Sequence, residues 1–391
     1  MQGMPPPSEK QVTPENWRHP PFNRWSFQHM REIVPTTVVS KGEGPVWQLT
    51  SACQNFDDLK VTHPRNGVQK SVSDILEQTY TDGFMIIHED KIVYERYFND
   101  MDSKALHLSQ SVAKSVTAAV CGILINKGAI DRDVPLASVI PELRNSGYAD
   151  ANLHQVLDMR SGVKFNEDYT DPDSDVALIE YVASWKPPLE NTPTSVLDIP
   201  CMLSKVREHG GYFEYRSIET DVIAWVMQRS TGQRLPELVS ELLWQPMGAE
   251  SDAYFTIDPS GYALANGGFN ATLRDYAKIG LLYLKGGFGP MHQIIPGMWV
   301  YETFNGGDPE IFAHSPWSGF WPRGAYKNQF WVRNIDQGQI MARGVFGQAI
   351  YIDKASNLVA VSLSSWPDFT NQDFVLDELD AIDAIARELV S

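Results

Sequence analysis

Apolar residues recur at helical spacing downstream of position 112. They occupy positions 116, 119, 120, 123 and 124, the spacing of one buried helix face, and Gly128 follows as a natural stop. This pattern predicts a helix that begins just after Ser111. The same periodicity predicts further helices at 153–159, 218–231, 273–284 and along the C-terminal stretch 374–389.

Runs typical of β-strands lie near both ends of the chain. Residues 84–88 and 92–98, joined by Glu89-Asp90-Lys91, predict an antiparallel hairpin. Neighbouring strands are predicted late in the chain, at 339–346, 348–352 and 358–363. Strands at both ends and helices between them predict an α+β fold, in which an antiparallel sheet is flanked by helices and a helical domain is inserted.

The pattern also suggests domain boundaries. Residues 1–25 are rich in proline and polar residues and predict an extended arm on the surface. Residues 26–125 and 275–391 are predicted to form the sheet domain, and residues 126–274 the mainly helical domain. A cleft between two such units is a usual place for an active site.

Composition narrows the range of partners. The 391 residues carry a net charge of −17 without a basic cluster, which argues against nucleic acid and anionic membranes as partners. The three cysteines lie far apart, and no apolar run has the length of a signal peptide core or a membrane span. We therefore expect a cytoplasmic protein acting on a small molecule, with no metal or cofactor, and the sequence leaves a homodimer open.

Ser111-Val112-Ala113-Lys114 is the main candidate for chemistry. Residues three apart share a helix face, so the Lys114 amine can take the Ser111 proton, and the helix N-terminus favours a developing negative charge. A single Ser-x-x-Lys also occurs by chance, as a capping serine and a surface lysine. As base, Lys114 must be largely neutral: moving its pKa from about 10.4 to about 7 corresponds to roughly 4–5 kcal/mol. Alternatively, a charged Lys114 lowers the pKa of a tyrosine that acts as base.

Two further segments complete the predicted constellation. Tyr215-Arg216-Ser217 lies about a hundred residues after Ser111, immediately before a predicted helix, and Tyr215 could pass a proton to the leaving group. The alternative is a packed tyrosine and an N-cap serine. Gly344 and Gly347 flank a strand end where the Val345 N–H could pair with the Ser111 N–H as an oxyanion hole, although a simple bulge would also fit.

The order Ser-x-x-Lys, Tyr-x-Ser and Gly-rich strand resembles the serine β-lactamase and penicillin-binding protein superfamily, with its class C β-lactamases and related carboxylesterases. Leu157-Asp158-Met159-Arg160-Ser161-Gly162-Val163 resembles a signature that follows the nucleophile helix. Further segments are similar to 6-aminohexanoate-dimer hydrolases, which cleave linear amides and esters. These segments are residues 23–27, 76–82, 166–172, 265–268 and 363–368.

The resemblance implies a β-lactamase/transpeptidase-like fold and a role for each matching residue. Ser111 would be the nucleophile, Lys114 and Tyr215 the proton-handling pair, and the N–H groups of Ser111 and Val345 the oxyanion hole. Tyr169 would lie over the cleft and contact the substrate amide. The other predicted substrate contacts are Ser217, Asn266, Gly344 and Phe346.

The sequence departs from the penicillin-recognising pattern at two places. The late strand reads Val345-Phe346-Gly347 where such proteins carry Lys-Thr-Gly, so no cation is expected there, and Ser217 replaces an asparagine. We therefore predict a serine hydrolase of small esters or linear amides that works through an acyl-enzyme. The alternatives are a β-lactamase or D-alanyl carboxypeptidase, and a non-catalytic ligand-binding module on the same fold.

Overall fold

The computed structural model describes residues 3–390, and its strands fall into three sheets. In chain order the strands are β1 (Thr36–Val39), β2 (Thr50–Ser51), β3 (Lys60–Thr62), β4 (Gln69–Ser71), β5 (Thr81–His88), β6 (Lys91–Tyr97), β7 (His107–Leu108), β8 (Ala253–Thr256), β9 (Phe269–Ala271), β10 (Ala325–Lys327), β11 (Phe330–Asn334), β12 (Gln339–Gly344), β13 (Gln348–Asp353) and β14 (Leu358–Ser364).

The α-helices lie mostly between the two groups of strands. They are α1 (Asn23–Ser26), α2 (Val72–Gln78), α3 (Val112–Asn126), α4 (Leu136–Val139), α5 (Leu153–Leu157), α6 (Asp175–Val182), α7 (Asp198–Met202), α8 (Ile218–Thr231), α9 (Leu235–Val239), α10 (Gln245–Met247), α11 (Leu273–Leu284), α12 (Gly297–Asn305), α13 (Pro309–Phe312) and α14 (Gln372–Val390).

The largest sheet joins the two ends of the chain, as predicted. Its strand order is β10-β11-β12-β13-β14-β5-β6-β2, and β14 pairs antiparallel with β5, so that Ala360 lies opposite Ile86. The predicted hairpin is confirmed as β5 and β6, with Glu89 and Asp90 at positive φ in the turn. Only the edge strand β2 departs from the antiparallel pattern, since it runs parallel to β6.

A second sheet was not predicted. It has the order β1-β8-β9-β7 and includes strands from the middle of the chain, which the sequence analysis treated as poor in strands. Strands β7, β8 and β9 are two to four residues long and buried throughout, so their sequences show too little alternation of polar and apolar residues to be recognised. The proposed division into domains remains a prediction. Within the predicted N-terminal arm, Trp17 is buried and packs edge-on against Trp185.

Helix α3 lies at the centre of the molecule and contacts strand β12 and helix α8. Thirteen of its fifteen residues are buried, which agrees with a sequence that is apolar on nearly every face. Helix α11 packs against β13 and β14 and begins and ends at the predicted residues, Leu273 and Leu284. The start of α3 is therefore held between the end of β12 and the start of α8.

Candidate active site

Ser111 occupies the residue before helix α3, and its hydroxyl does not cap that helix. The preceding residue, Gln110, has a φ of +49°, an uncommon conformation for a residue with a side chain. The sharp turn leaves the Ser111 Oγ 2.9 Å from the Lys114 Nζ one helical turn later. The hydroxyl is therefore available for chemistry, and the interpretation as a capping serine with a surface lysine is wrong.

Lys114 is only 1% exposed, and its amine also donates to the backbone carbonyl of Asn266 at 2.6 Å. Burial lowers the pKa of Lys114 to about 8, while the carboxylates of Glu167 and Asp221 act against that shift. Among the described residues the Lys114 amine contacts the Ser111 hydroxyl and the Asn266 carbonyl and forms no ion pair with either carboxylate, so burial outweighs their attraction. About a tenth of the amine is therefore neutral at pH 7, and the neutral fraction grows as the pH rises.

Tyr215 lies beside this pair at the start of helix α8. The Lys114 Nζ is 5.4 Å from the centroid of the tyrosine ring, and the Ser111 side chain is near enough to lower the pKa of Tyr215 slightly. Burial and the nearby Glu167 carboxylate raise the pKa of Tyr215 well above its ordinary value. The lowered pKa of Lys114 and the raised pKa of Tyr215 favour the neutral amine as the base and the protonated tyrosine as a proton donor. The sequence alone left open which of the two residues is the base.

The end of strand β12 lies directly against the turn that carries Ser111. A Cβ atom on Gly344 would stand 2.5 Å from the Ser109 carbonyl oxygen and 3.0 Å from the Ser111 nitrogen, so only glycine permits this approach. Val345 follows and lines the same cavity as Ser111. Within residues 3–390 neither the Ser111 nor the Val345 N–H donates to another backbone atom, so both are free to bind an oxyanion.

Glu167 joins two of the predicted residues and was not itself singled out by the sequence analysis. Its carboxylate accepts hydrogen bonds from the Tyr169 hydroxyl at 2.7 Å, from the Ser217 N–H at 2.8 Å and from the Ser217 hydroxyl. Ser217 is therefore not an ordinary N-cap, because its hydroxyl is directed to another loop. Tyr169 also stacks on Phe369 at 5.3 Å, which holds its loop against the cavity.

Asn266 and Phe346 line a smaller cavity of about 30 Å³ that also reaches Ser111. The Asn266 side chain donates to the buried Asp221, whose pKa is raised to about 7 by burial. Phe346 is 2% exposed and packs edge-on against Phe27 at 5.2 Å. The structure thus places both residues beside the nucleophile, and their contact with a substrate remains a prediction.

The main cavity in front of Ser111 has a volume of about 470 Å³ and an aromatic wall. The rings of this wall belong to Tyr212, Phe213, Trp317, Trp331, Trp366 and Phe369. Val345-Phe346-Gly347 carry no cation, as the sequence indicates, but Arg343, two residues before Val345 on β12, also lines the cavity. The strand therefore supplies a cation from a position just before those three residues.

Comparison with known proteins agrees with this geometry. The family model described as "Beta-lactamase" matches residues 68–384. A 6-aminohexanoate-dimer hydrolase from Paenarthrobacter ureafaciens is 34% identical over 363 residues, which cover 91% of this chain and 88% of the relative. The chain belongs to the β-lactamase family, and it is an enzyme of the serine hydrolase class.

Solved structures show the same fold. A Bacillus anthracis protein, assigned provisionally as a 6-aminohexanoate-dimer hydrolase, superposes with a TM-score of 0.89 at 31% identity, covering 98% of both chains. A family VIII carboxylesterase, 16% identical, superposes with a TM-score of 0.57 over 80% of this chain and 96% of its own length. Between residues 3 and 390, no helix combines the length and apolar character needed to cross a bilayer.

Proposed function

We propose that this enzyme hydrolyses small esters and linear amides through an acyl-enzyme on Ser111, with Lys114 as general base and Tyr215 as proton donor. The observation that carries the proposal is the 2.9 Å contact between the Ser111 hydroxyl and a buried Lys114 amine whose pKa is lowered to about 8. A serine hydroxyl is a weak nucleophile without such a base.

In the proposed acylation, neutral Lys114 takes the Ser111 proton as the Oγ attacks the substrate carbonyl. The carbonyl oxygen becomes an oxyanion, which the N–H groups of Ser111 and Val345 stabilise at the N-terminus of α3. Because both donors are fixed by the close approach of Gly344, they need little rearrangement as the charge develops.

Collapse of the tetrahedral intermediate breaks the bond to the leaving group, which needs a proton. Tyr215 supplies that proton and is reprotonated by the Lys114 ammonium, so the lysine returns to its neutral form. Water then attacks the acyl-enzyme and gives a proton to Lys114. The tetrahedral intermediate collapses, the bond to the Ser111 Oγ breaks, and the Lys114 ammonium returns its proton to that oxygen as the acid leaves. An amide depends on Tyr215 more than an ester does, because an amine leaves poorly unless it is protonated.

The substrate class rests on the cavity and on the relatives. Aromatic rings form much of the wall of the 470 Å³ cavity, which suits an alkyl or aryl chain on either side of the scissile bond. Both relatives at 31% and 34% identity are named for 6-aminohexanoate dimer, a linear amide. We place this compound, or a similar ω-amino acid amide, first among the substrates to be tried.

The proposed setting is the cytoplasm, with small molecules rather than nucleic acid or membranes as partners. The described Cys53, Cys121 and Cys201 are free thiols, and the net charge of −17 opposes binding to polyanions. A non-catalytic binding module would be indicated by the loss of one of the catalytic groups. Here the Ser111 hydroxyl contacts the Lys114 amine, and the Tyr215 ring lies 5.4 Å from that amine.

The test is hydrolysis of p-nitrophenyl butyrate by the wild type, Ser111→Ala and Ser115→Ala. Ser115 is a matched control, because its hydroxyl lies on the same buried helix but donates to the Gln329 carbonyl at 2.7 Å. We expect Ser111→Ala to lose turnover and Ser115→Ala to retain it, with both variants folded by circular dichroism. If turnover is lost in Ser111→Ala alone, the linear dimer of 6-aminohexanoate is the next substrate to be tried. Turnover in Ser111→Ala equal to that of the wild type would refute the mechanism.

A further inference from the structure

The geometry points to Arg343 as a residue that selects substrates carrying a carboxylate away from the scissile bond. This inference deepens the proposed function and rests on it, because it concerns what the same cavity accepts. It would make Arg343 a specificity-determining residue, with no part in proton transfer.

Arg343 stands near the end of β12, two residues before Val345, and lines the cavity that contains Ser111. Its guanidinium lies 4.5 Å from the ring centroid of Trp317 and 5.5 Å from that of Trp321. Both distances lie within the range of a cation–π contact, so the two indoles help to hold the guanidinium in the cavity wall.

Among the described residues, no carboxylate is paired with this cation. Within residues 3–390 the Arg343 side chain forms no ion pair and no hydrogen bond, unlike most buried or half-buried arginines of the chain. Glu378 is the carboxyl group whose charge acts to raise the pKa of Arg343, and burial raises the pKa of Glu378 itself to about 8. Glu378 is therefore largely uncharged at neutral pH, whereas burial lowers the pKa of Arg343 only to about 10, and the arginine stays charged.

The carboxylates that line the cavity are already engaged. Glu167 accepts hydrogen bonds from Tyr169 and Ser217, and Glu214 pairs with Arg216. Arg343 is the only lysine or arginine lining the main cavity in the described part of the chain. A half-buried cation without a partner, in a cavity rich in aromatic rings, is a site where an anion gains a charged hydrogen bond.

A carboxylate is the class of anion that fits this site. A guanidinium edge matches a planar carboxylate with two parallel hydrogen bonds, and the aromatic wall suits the methylene or aryl chain that would carry it. The carboxylate could belong to the acyl half or to the leaving half of the substrate. The experiment therefore needs one pair of substrates for each half.

The test compares a charged and a neutral ester within each pair. For the leaving half the pair is 4-(butanoyloxy)benzoate and its methyl ester, and for the acyl half it is mono-(4-nitrophenyl) glutarate and 4-nitrophenyl pentanoate. Each is measured with the wild type, Arg343→Gln, Arg343→Lys and Arg323→Gln. Arg323 is the matched control, because it is exposed and pairs with Asp336 at 2.7 Å on the surface.

We expect Arg343→Gln to lose about 10- to 100-fold more kcat/KM on the charged than on the neutral ester of at least one pair, mainly through KM. Arg343→Lys should recover part of this preference, and Arg323→Gln should keep the wild-type ratio. A charged-to-neutral ratio unchanged by Arg343→Gln in both pairs would overturn the inference. If the glutamine variant does not fold, the charged-to-neutral ratio is measured with Arg343→Lys, which keeps the positive charge but loses the guanidinium group.

The two proposals fail in different ways. If Ser111→Ala turned over the neutral esters as the wild type does, the proposed function would be wrong, whatever Arg343 does. If Ser111 proved essential but both substrate pairs gave unchanged ratios, only the role of Arg343 would be refuted. Preference in one pair alone would show which half of the substrate carries the carboxylate.

Discussion

Two buried lysines in this enzyme occupy the same local position and have different surroundings. Lys114 on α3 follows Ser111 by three residues, and Lys278 on α11 follows Asp275 by three residues. Both are at most 1% exposed. Lys278 pairs with Asp275 at 3.1 Å and with Glu250 at 3.2 Å, whereas Lys114 has only a hydroxyl and a carbonyl within hydrogen-bond distance.

The difference shows what turns a buried lysine into a base. Two carboxylates stabilise the ammonium of Lys278, so this lysine serves as the centre of an ion-pair cluster. At Lys114 the carboxylates of Glu167 and Asp221 are too remote to pair, so burial prevails and lowers the pKa. The spacing in the sequence is the same, and the chemistry follows from the charge of the partner.

The largest expected effect comes from removing the amine of Lys114. In Lys114→Met we expect kcat/KM for p-nitrophenyl butyrate to fall about 10²- to 10⁴-fold, the usual contribution of a general base. The free energy of unfolding should change by no more than about 1–2 kcal/mol, because only two hydrogen bonds are lost and a costly burial is relieved. Steady-state kinetics and urea denaturation measure the two quantities, and turnover within tenfold of the wild type would contradict the assignment.

The same substitution at Lys278 should have the opposite profile. Lys278→Met leaves Asp275, which is fully buried, without its cation, and breaking such a pair costs about 3–5 kcal/mol. We expect a lower urea midpoint with turnover per folded molecule close to that of the wild type. A Lys278→Met variant with full stability and poor turnover would erase the distinction between the two lysines.

Two glycines extend the comparison to the backbone. Alanine at Gly344 would press on the Ser109 carbonyl and the Ser111 N–H, while alanine at Gly280 on α11 would press on the Val359 side chain at 2.4 Å. We expect Gly344→Ala to lower kcat/KM about 10²-fold by displacing an oxyanion donor. Gly280→Ala should instead cost about 1–3 kcal/mol of stability through overpacking. Equal kinetics in both variants would indicate that the approach of β12 does not matter for turnover.

The smallest expected effect is that of pH on the wild type. Below about pH 8 the protonated form of Lys114 predominates, so the neutral amine increases about tenfold per pH unit as pH rises. We expect kcat/KM to rise accordingly from pH 6 to 7 and to level off above about pH 8. A profile that is flat over this range would mean that Lys114 does not titrate as the base. The control is Lys278→Arg, which keeps the charge at the other buried lysine and should give the same pH profile as the wild type.

Local patterns allowed much of the site to be predicted. Ser111 and Lys114 are three residues apart on a strongly periodic helix, so their contact follows from helix geometry alone. Tyr215 and Val345 needed the resemblance to known hydrolases, because their approach to Ser111 depends on how α8 and β12 pack around α3. The core helices and hairpin were also predictable, since each has a long periodic pattern.

What the sequence did not reveal depends on contacts between distant segments. Glu167 meets Ser217 across fifty residues, and no spacing rule connects them. Arg343 was overlooked because its lack of a partner is visible only when every neighbouring carboxylate has been placed. The short strands of the second sheet have too few residues for a period to appear, and the sheet is defined by its pairing rather than by its composition.

The most direct test of the catalytic pair is to locate the acyl group. The enzyme is mixed with p-nitrophenyl butyrate, quenched in acid within one turnover and examined by intact-mass and peptide mass spectrometry. We predict one butyryl group per chain on the peptide containing Ser111, with much slower formation in Lys114→Met than in Lys278→Met. A butyryl group on another residue, or equal acylation of Ser111 in the two lysine variants, would contradict the account.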